Sequence, residues 1–304
     1  MTASLATRFR ASFASDYQYG VAILVFSAVC WSSTGLFIRL IPADAWTQLF
    51  WRGFFGGLTA LIYVMLRDGR RTLSTFRSFG WHGWLFTVCN TLGMLAFITS
   101  MKLTTVAHVT IIYATMPLVA ALLSWIALKE KPRPSSIVAS FGAAIGVILT
   151  VIAGAGEGAL AGDVIAMLMT LATVSALIVQ RGARTAIEPI ASAAAAGFLC
   201  SLASAPFGHV FDISARELAM LVLFGMVNTG FGFMLFFVGA KFVPATVSGL
   251  IGALDAPLAP FWVWLVIGET PLPTTLIGGA IVITAVSGHI LWTMRPDTTA
   301  APRR

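Results

Sequence analysis

One carboxylate in this chain stands where a carboxylate is costly. Asp255 lies in the middle of an apolar run, about ten residues from either end and one residue before Ala256-Pro257. It is the only acidic residue so placed. An ionised side chain there needs a partner, a wet cavity or a proton. Asp255 is therefore a candidate to hold a substrate ammonium or to exchange a proton; a salt bridge to Arg52, also inside an apolar run, is the structural alternative. Ser248, Gly252 and Asp255 are spaced i, i+4 and i+7, which would set a hydroxyl, a backbone segment and the carboxylate along one helical wall.

Asn90 and Asn228 hold corresponding places in two other apolar runs, where an amide either contacts substrate or bonds a neighbouring helix. Trp31 is deep in the first run beside Ser32, Ser33 and Thr34, and its ring is placed to stack on an aromatic or apolar substrate. Tyr113 shares a helical face with Thr110 and Pro117, while His108 and Thr115 share another; His108 is a second coupling candidate, against a structural hydrogen bond near a span end. Pro117, Pro257 and Pro260 each remove a helical hydrogen bond near mid-span, and matched helix breaks point to a transport site. The Phe231, Phe233, Phe236 and Phe237 cluster reads as lipid-facing packing. Gly142 and Gly146, loosely matched by Gly278 and Gly279, read as close helix contacts.

The elements that must position these residues follow from composition. The 304 residues are 58% hydrophobic and 10% charged, with mean hydropathy +0.90. A water-soluble fold needs a far more polar exterior, so the chain is read as an all-α integral membrane protein. Ten apolar runs of transmembrane length fall near 20–40, 45–66, 82–101, 105–128, 135–152, 162–180, 190–211, 217–239, 246–267 and 274–292. The net charge of +7 does not point to nucleic acid, because the basic residues punctuate apolar runs and do not cluster on a face. Cys30, Cys89 and Cys200 all lie in apolar stretches without metal-ligand spacing, so no disulfide framework, metal or cofactor is expected. Residues 1–19 lack an apolar stretch, so no signal peptide is expected.

Charge sets the expected orientation. Arg39, Lys102 and Arg216 fall outside and Arg52 within a span; the rest of the 19 Lys and Arg residues fall on one side, which predicts both termini in the cytoplasm.

The chain also repeats itself. Lys102 precedes Glu130 by 28 residues, Lys241 precedes Glu269 by 28, and each glutamate opens the same pattern, Glu130-Lys-Pro132-Arg-Pro134 and Glu269-Thr-Pro271-Leu-Pro273. An offset of about 139 also pairs Asn90-Thr91 with Asn228-Thr229 and Pro117-Leu118 with Pro257-Leu258, and a slightly larger one pairs Arg39 with Arg181. Residues 1–154 and 155–304 are thus expected to be two five-helix repeats around a central cavity. Five is odd, so the second must cross in the opposite sense; the loss of Lys129, Lys131 and Arg133 to Gly268, Thr270 and Leu272 agrees.

In these features the sequence resembles the EamA-type transporters of the drug/metabolite transporter superfamily. The resemblance rests on Pro42 with Arg52, on Met116-Pro117-Leu118 with Leu128-Lys129-Glu130, and on Ala256-Pro257-Leu258 with Gly268-Glu269. It implies ten helices in two inverted repeats and export of amino acids, aromatic ones among them, or related metabolites across a bacterial inner membrane by alternating access. Small solutes, protons and membrane lipid are the implied partners, and the chain would act as a monomer or homodimer. An antiporter of phosphorylated sugars or nucleotide-sugars is the nearer alternative but would need several cavity cations, of which only Arg52 qualifies. A membrane enzyme is the weaker one, since no carboxylate cluster is present to hold a metal-bound phosphate.

Overall fold

A computed structural model describes residues 13, 15–104, 106–132, 134–151, 160–183, 187–268, 270 and 273–294. The regular elements described are all helical. Ten helical segments follow one another: α1 Asp16–Leu40, α2 Ala45–Arg77, α3 Gly80–Leu103, α4 His108–Leu128, α5 Pro134–Val151, α6 Leu160–Gly182, α7 Pro189–Phe207, α8 Ala215–Gly239, α9 Ala245–Ile267 and α10 Pro273–Met294. Among the described residues, nine are long and apolar enough to cross a membrane, and α5 is an apolar helix a little short of that measure. Large apolar side chains such as Leu66, Val138, Leu202 and Phe211 face outward, as a lipid-immersed surface requires. α7 ends earlier than expected, at Phe207, because Pro206 lies in a 3-10 turn that leads to extended backbone at Gly208.

Local chemistry fixes the helix ends. Asp44 opens α2 by accepting hydrogen bonds from Trp46 N at 2.8 Å and Thr47 N at 3.1 Å, the donors an N-terminal turn leaves unpaired. Partial burial pushes its carboxyl upward, but the bonds from Thr47, His209 and Trp46 outweigh that and hold it below the usual carboxylate range. Ser214 and Glu217 form a reciprocal capping box at the start of α8. α4 and α9 end alike, each on a left-handed residue, Lys129 at φ 59° and Gly268 at φ 82°. Glu269 lies outside the described residues.

Among the described residues, four helices are interrupted within their apolar length, and α2 passes through a 3-10 turn at Gly69–Arg71 before its last residues. α1 breaks at Ser33, where the hydroxyls of Ser32, Ser33 and Thr34 donate back to Val29 O, Cys30 O and Trp31 O at 2.8, 2.6 and 2.6 Å and so compete with the backbone ladder. α8 relaxes into a π-helix over Gly225–Gly232. α4 breaks at Ala114-Thr115 and α9 at Ala253-Leu254. Both breaks lie ahead of the expected prolines: Pro117 and Pro257 sit in the first turn of the segment that follows, where a missing N–H costs nothing. The register expected for Ser248, Gly252 and Asp255 is therefore lost, because the break falls between Gly252 and Asp255.

The packing has an internal order. α2 packs on α7, α5 on α10, and α4 crosses α9; α3 packs on α6 and α7, as α8 does on α1 and α2. Exchanging each helix for the one five places along the chain maps this set of pairs onto itself. Glycine permits the closest crossings: a β-carbon on Gly53 of α2 would stand 2.8 Å from Gly197 O of α7, and one on Gly146 of α5 would stand 2.8 Å from Gly278 O of α10.

Candidate functional site

Inside the bundle is a cavity of about 640 Å³, and α1, α2, α3, α4, α6, α8, α9 and α10 all contribute side chains to it. It reaches the end of the bundle where Arg39 closes α1 and Thr270 and Thr275 lie at the start of α10. Its wall is largely apolar, with Met94, Phe97, Met101, Met169, Phe233 and Val263. Into this wall are set Asp255, Arg52, Asn90, Asn228, Tyr113, Thr110 and Thr173. A few polar groups in an apolar concavity of this size are what a small-molecule site presents.

Asp255 begins the second segment of α9, so the helix break sets its carboxylate at the cavity wall. Arg52 comes from α2 and is 5% exposed, its guanidinium 5.5 Å from the Phe224 ring centre and 6.0 Å from that of Phe97. The salt bridge weighed between them is not formed. Among the described residues, neither side chain takes part in an ion pair of 4.0 Å or less. The Arg52 Nε is buried without a hydrogen-bond partner. The two side chains therefore line one cavity without an ion pair between them.

The two asparagines part ways. Asn228 sits in the π-helix of α8 and donates from Nδ2 to Trp31 O at 3.2 Å, Cys30 O at 3.5 Å and Thr34 Oγ1 at 2.5 Å. It binds carbonyls freed by the break in α1. Asn90 sits in unbroken α3; its Nδ2 is buried and has no partner. Both line the cavity, but Asn228 is committed to the protein, whereas Asn90 has a donor to spare.

The other expected residues divide as follows. Tyr113 and Pro260 line the cavity. Trp31 reaches it, but Phe233 packs edge-on against its ring at 5.0 Å and Phe236 lies tilted against it at 4.6 Å, so the indole is mostly wall. Ser248 is wholly buried away from the cavity, its hydroxyl donating to Pro244 O at 3.3 Å. His108 is also outside, its Nδ1 3.2 Å from the Asp163 carboxylate. Pro117 packs against Gly249, and Pro257 against Gly279. The expected lipid-facing cluster is largely core: Phe236 and Phe237 are fully buried and only Phe231 of the four is exposed, because α8 packs on α1 and α2. Thr173 and the methionines of the wall had no sequence signal, whereas Arg52 had one in being a cation within a span. Among the described residues, no group of three or more His, Cys, Asp or Glu side chains is placed to hold a metal ion.

Comparison with known proteins fits this architecture. The model of the EamA-like transporter family matches residues 18–152 and 160–290. A protein named "Uncharacterized transporter" from Archaeoglobus fulgidus is 26% identical over 271 residues, 88% of this chain and 95% of that one. "Uncharacterized transporter YwfM" from Bacillus subtilis is 25% identical over 277 residues, 87% of this chain and 91% of that one. A solved chain described as "Crystal structure of protein" superposes with a TM-score of 0.78 at 18% identity, over 90% of this chain and 97% of that one, and supports the fold alone. With both five-helix halves matched, the chain belongs to the EamA-like transporter family.

Proposed function

We propose that this transporter exports amino acids with apolar side chains, aromatic ones among them, by alternating access across a bacterial inner membrane. The observation that carries the reading is the pair Arg52 and Asp255: a cation and a carboxylate line one apolar cavity without pairing with each other. A zwitterion answers both, its carboxylate to the guanidinium and its ammonium to Asp255. Asn90 Nδ2 offers a further donor, and the Met and Phe wall accommodates an apolar side chain. Asp255 is also the group placed to exchange a proton.

The transport cycle is read as one five-helix repeat moving against another of inverted topology, with both termini in the cytoplasm and no enzymatic step. Support for the repeat comes from the breaks at Ala114-Thr115 and Ala253-Leu254, the left-handed ends at Lys129 and Gly268, and the helix pairs that survive exchange of the halves. Arg39 at the cavity wall favours a second reading, a phosphorylated-sugar antiporter. Asp255 opposes it, since a carboxylate repels a phosphate. Counterflow into proteoliposomes tests the choice: labelled neutral amino acids should exchange and labelled sugar phosphates should not, and the reverse would replace the first reading with the second.

A further inference from the structure

A second cavity, of about 710 Å³, lies at the opposite end of the bundle. Tyr17 near the start of α1, Ser124 and Glu130 at the end of α4, Arg181 at the end of α6, Thr246 at the start of α9 and His289 near the end of α10 line it. The same five helices also line the first cavity, α4, α9 and α10 from their other segments, α1 from its second half and α6 from near its middle. Between the two, α4 and α9 cross at their breaks: a β-carbon on Gly249 would stand 3.2 Å from Pro117 Cα, and Met116, Ala120, Leu250 and Ile251 are buried around that contact. The crossing is thus a septum between the segments of α4 and α9 that line one cavity and those that line the other.

One guanidinium ties the two septum helices together on the far side. Arg181 donates from Nη2 to Glu130 Oε1 at 3.0 Å and Oε2 at 3.1 Å, and from Nη1 to Val243 O at 2.5 Å. Glu130 follows the end of α4, and Val243 precedes the start of α9. We propose that the second cavity is the inner vestibule of the transport path and that Arg181 is the latch that keeps it shut from the substrate cavity. The proposal rests on the transport reading above. The path can join the vestibule only if the segments of α4 and α9 that flank the septum part, and Arg181 holds both, so it must release one. Glu130 is the arm built to yield: its side chain is 44% exposed, and an ion pair so wetted exchanges readily with water. The bond to Val243 O is the firmer, since a buried carbonyl that loses its donor is left unpaired.

The test uses the full-length protein on a cysteine-free background, purified in detergent so that both ends meet the reagent. Thr246→Cys reports on the vestibule and Thr275→Cys on the substrate cavity through their rates of modification by a polar thiol reagent. Glu130→Gln should speed the first roughly fivefold or more and slow the second. A reducible thiol-to-thiol cross-linker joining Glu130→Cys and Arg181→Cys across the span of the ion pair should stop counterflow until a reductant is added. Unchanged labelling in a Glu130→Gln protein that elutes as a single folded species, or normal counterflow by the cross-linked protein, would overturn the latch. The labelling arm needs no substrate, so it tests the latch even where the amino-acid reading fails.

Discussion

Asn228 and Thr34 meet across the two halves of the chain, the amide Nδ2 donating to the hydroxyl at 2.5 Å while it also reaches Trp31 O at 3.2 Å. One side chain thus closes the break in α1 from the π-helix of α8. A π-helix widens the turn, and Asn228 lies within this one, at the α1 carbonyls that would otherwise face an apolar wall. Asn90 has no such duty. Replacing Asn228 by Ala should lower stability by about 0.6–1.7 kcal/mol, between the average and the largest value found for hydrogen bonds between membrane helices, seen as a lower unfolding midpoint in detergent. Asn90→Ala should leave that midpoint unchanged and reduce transport instead. Equal loss of stability in both would show that the bonds of Asn228 are not what separates them.

Asp255→Asn keeps the shape and removes the charge. Net export should fall at least tenfold, equivalent to about 1.4 kcal/mol, while the protein still inserts and unfolds at the wild-type midpoint. Any pH dependence of transport that arises at this carboxylate should vanish with it. Wild-type export with an unchanged pH profile would remove Asp255 from the site.

Arg52→Gln should weaken amino-acid binding by a similar factor, and Arg52→Lys should restore it only in part, because an ammonium does not reproduce the two-pronged donor geometry of a guanidinium. Binding of labelled amino acid to the purified protein reads this without the rest of the cycle. Full affinity in Arg52→Gln would leave the cation as wall structure, held over Phe97 and Phe224.

Asp44 gives a prediction outside the membrane-spanning segments. Its carboxyl is held below the usual carboxylate range in the folded protein, so its contribution is present above the unfolded value of about 3.9 and is lost as pH falls through the folded one. Asp44→Ala should cost about 1 kcal/mol near neutral pH, as loss of a helix cap does. The gap between mutant and wild-type unfolding midpoints should close below about pH 3.9. A gap that stays constant down to acid pH would show that the cap does not depend on the charge.

The proposed inverted repeat would place Lys131 and Thr270 on opposite faces of the membrane. On a cysteine-free background, Lys131→Cys should react with an impermeant thiol reagent only from the cytoplasmic side and Thr270→Cys only from outside. Reaction of both from one side would contradict the inversion.

The spans were legible because a bilayer demands runs of a set length and apolarity, and the described helices lie close to the expected ranges except α2, which runs on to Arg77, and α7, which stops at Phe207. The cavity was legible where cost marks a residue: Asp255, Asn90 and Asn228 are polar groups in apolar runs, and all three line it. Ser248 was misplaced because a proline opens the turn ahead of itself, so a helical register carried through residues 253–254 fails. The commitment of Asn228 was hidden because its partners are backbone carbonyls nearly 200 residues away, exposed by hydroxyls whose effect on α1 the sequence does not announce. The apolar wall was hidden for the opposite reason: Met94, Met101 and Met169 differ in no way from lipid-facing neighbours until the helices are packed.

The central claim is that one cavity holds both ends of a zwitterion, and binding to the purified protein tests it most directly. A neutral amino acid with an apolar side chain should displace bound labelled amino acid, while the amine that lacks its carboxylate and the acid that lacks its ammonium should each compete at least tenfold more weakly, or about 1.4 kcal/mol. Asp255→Asn should abolish the preference over the acid, and Arg52→Gln the preference over the amine. Equal competition by all three ligands in the wild-type protein would contradict the account.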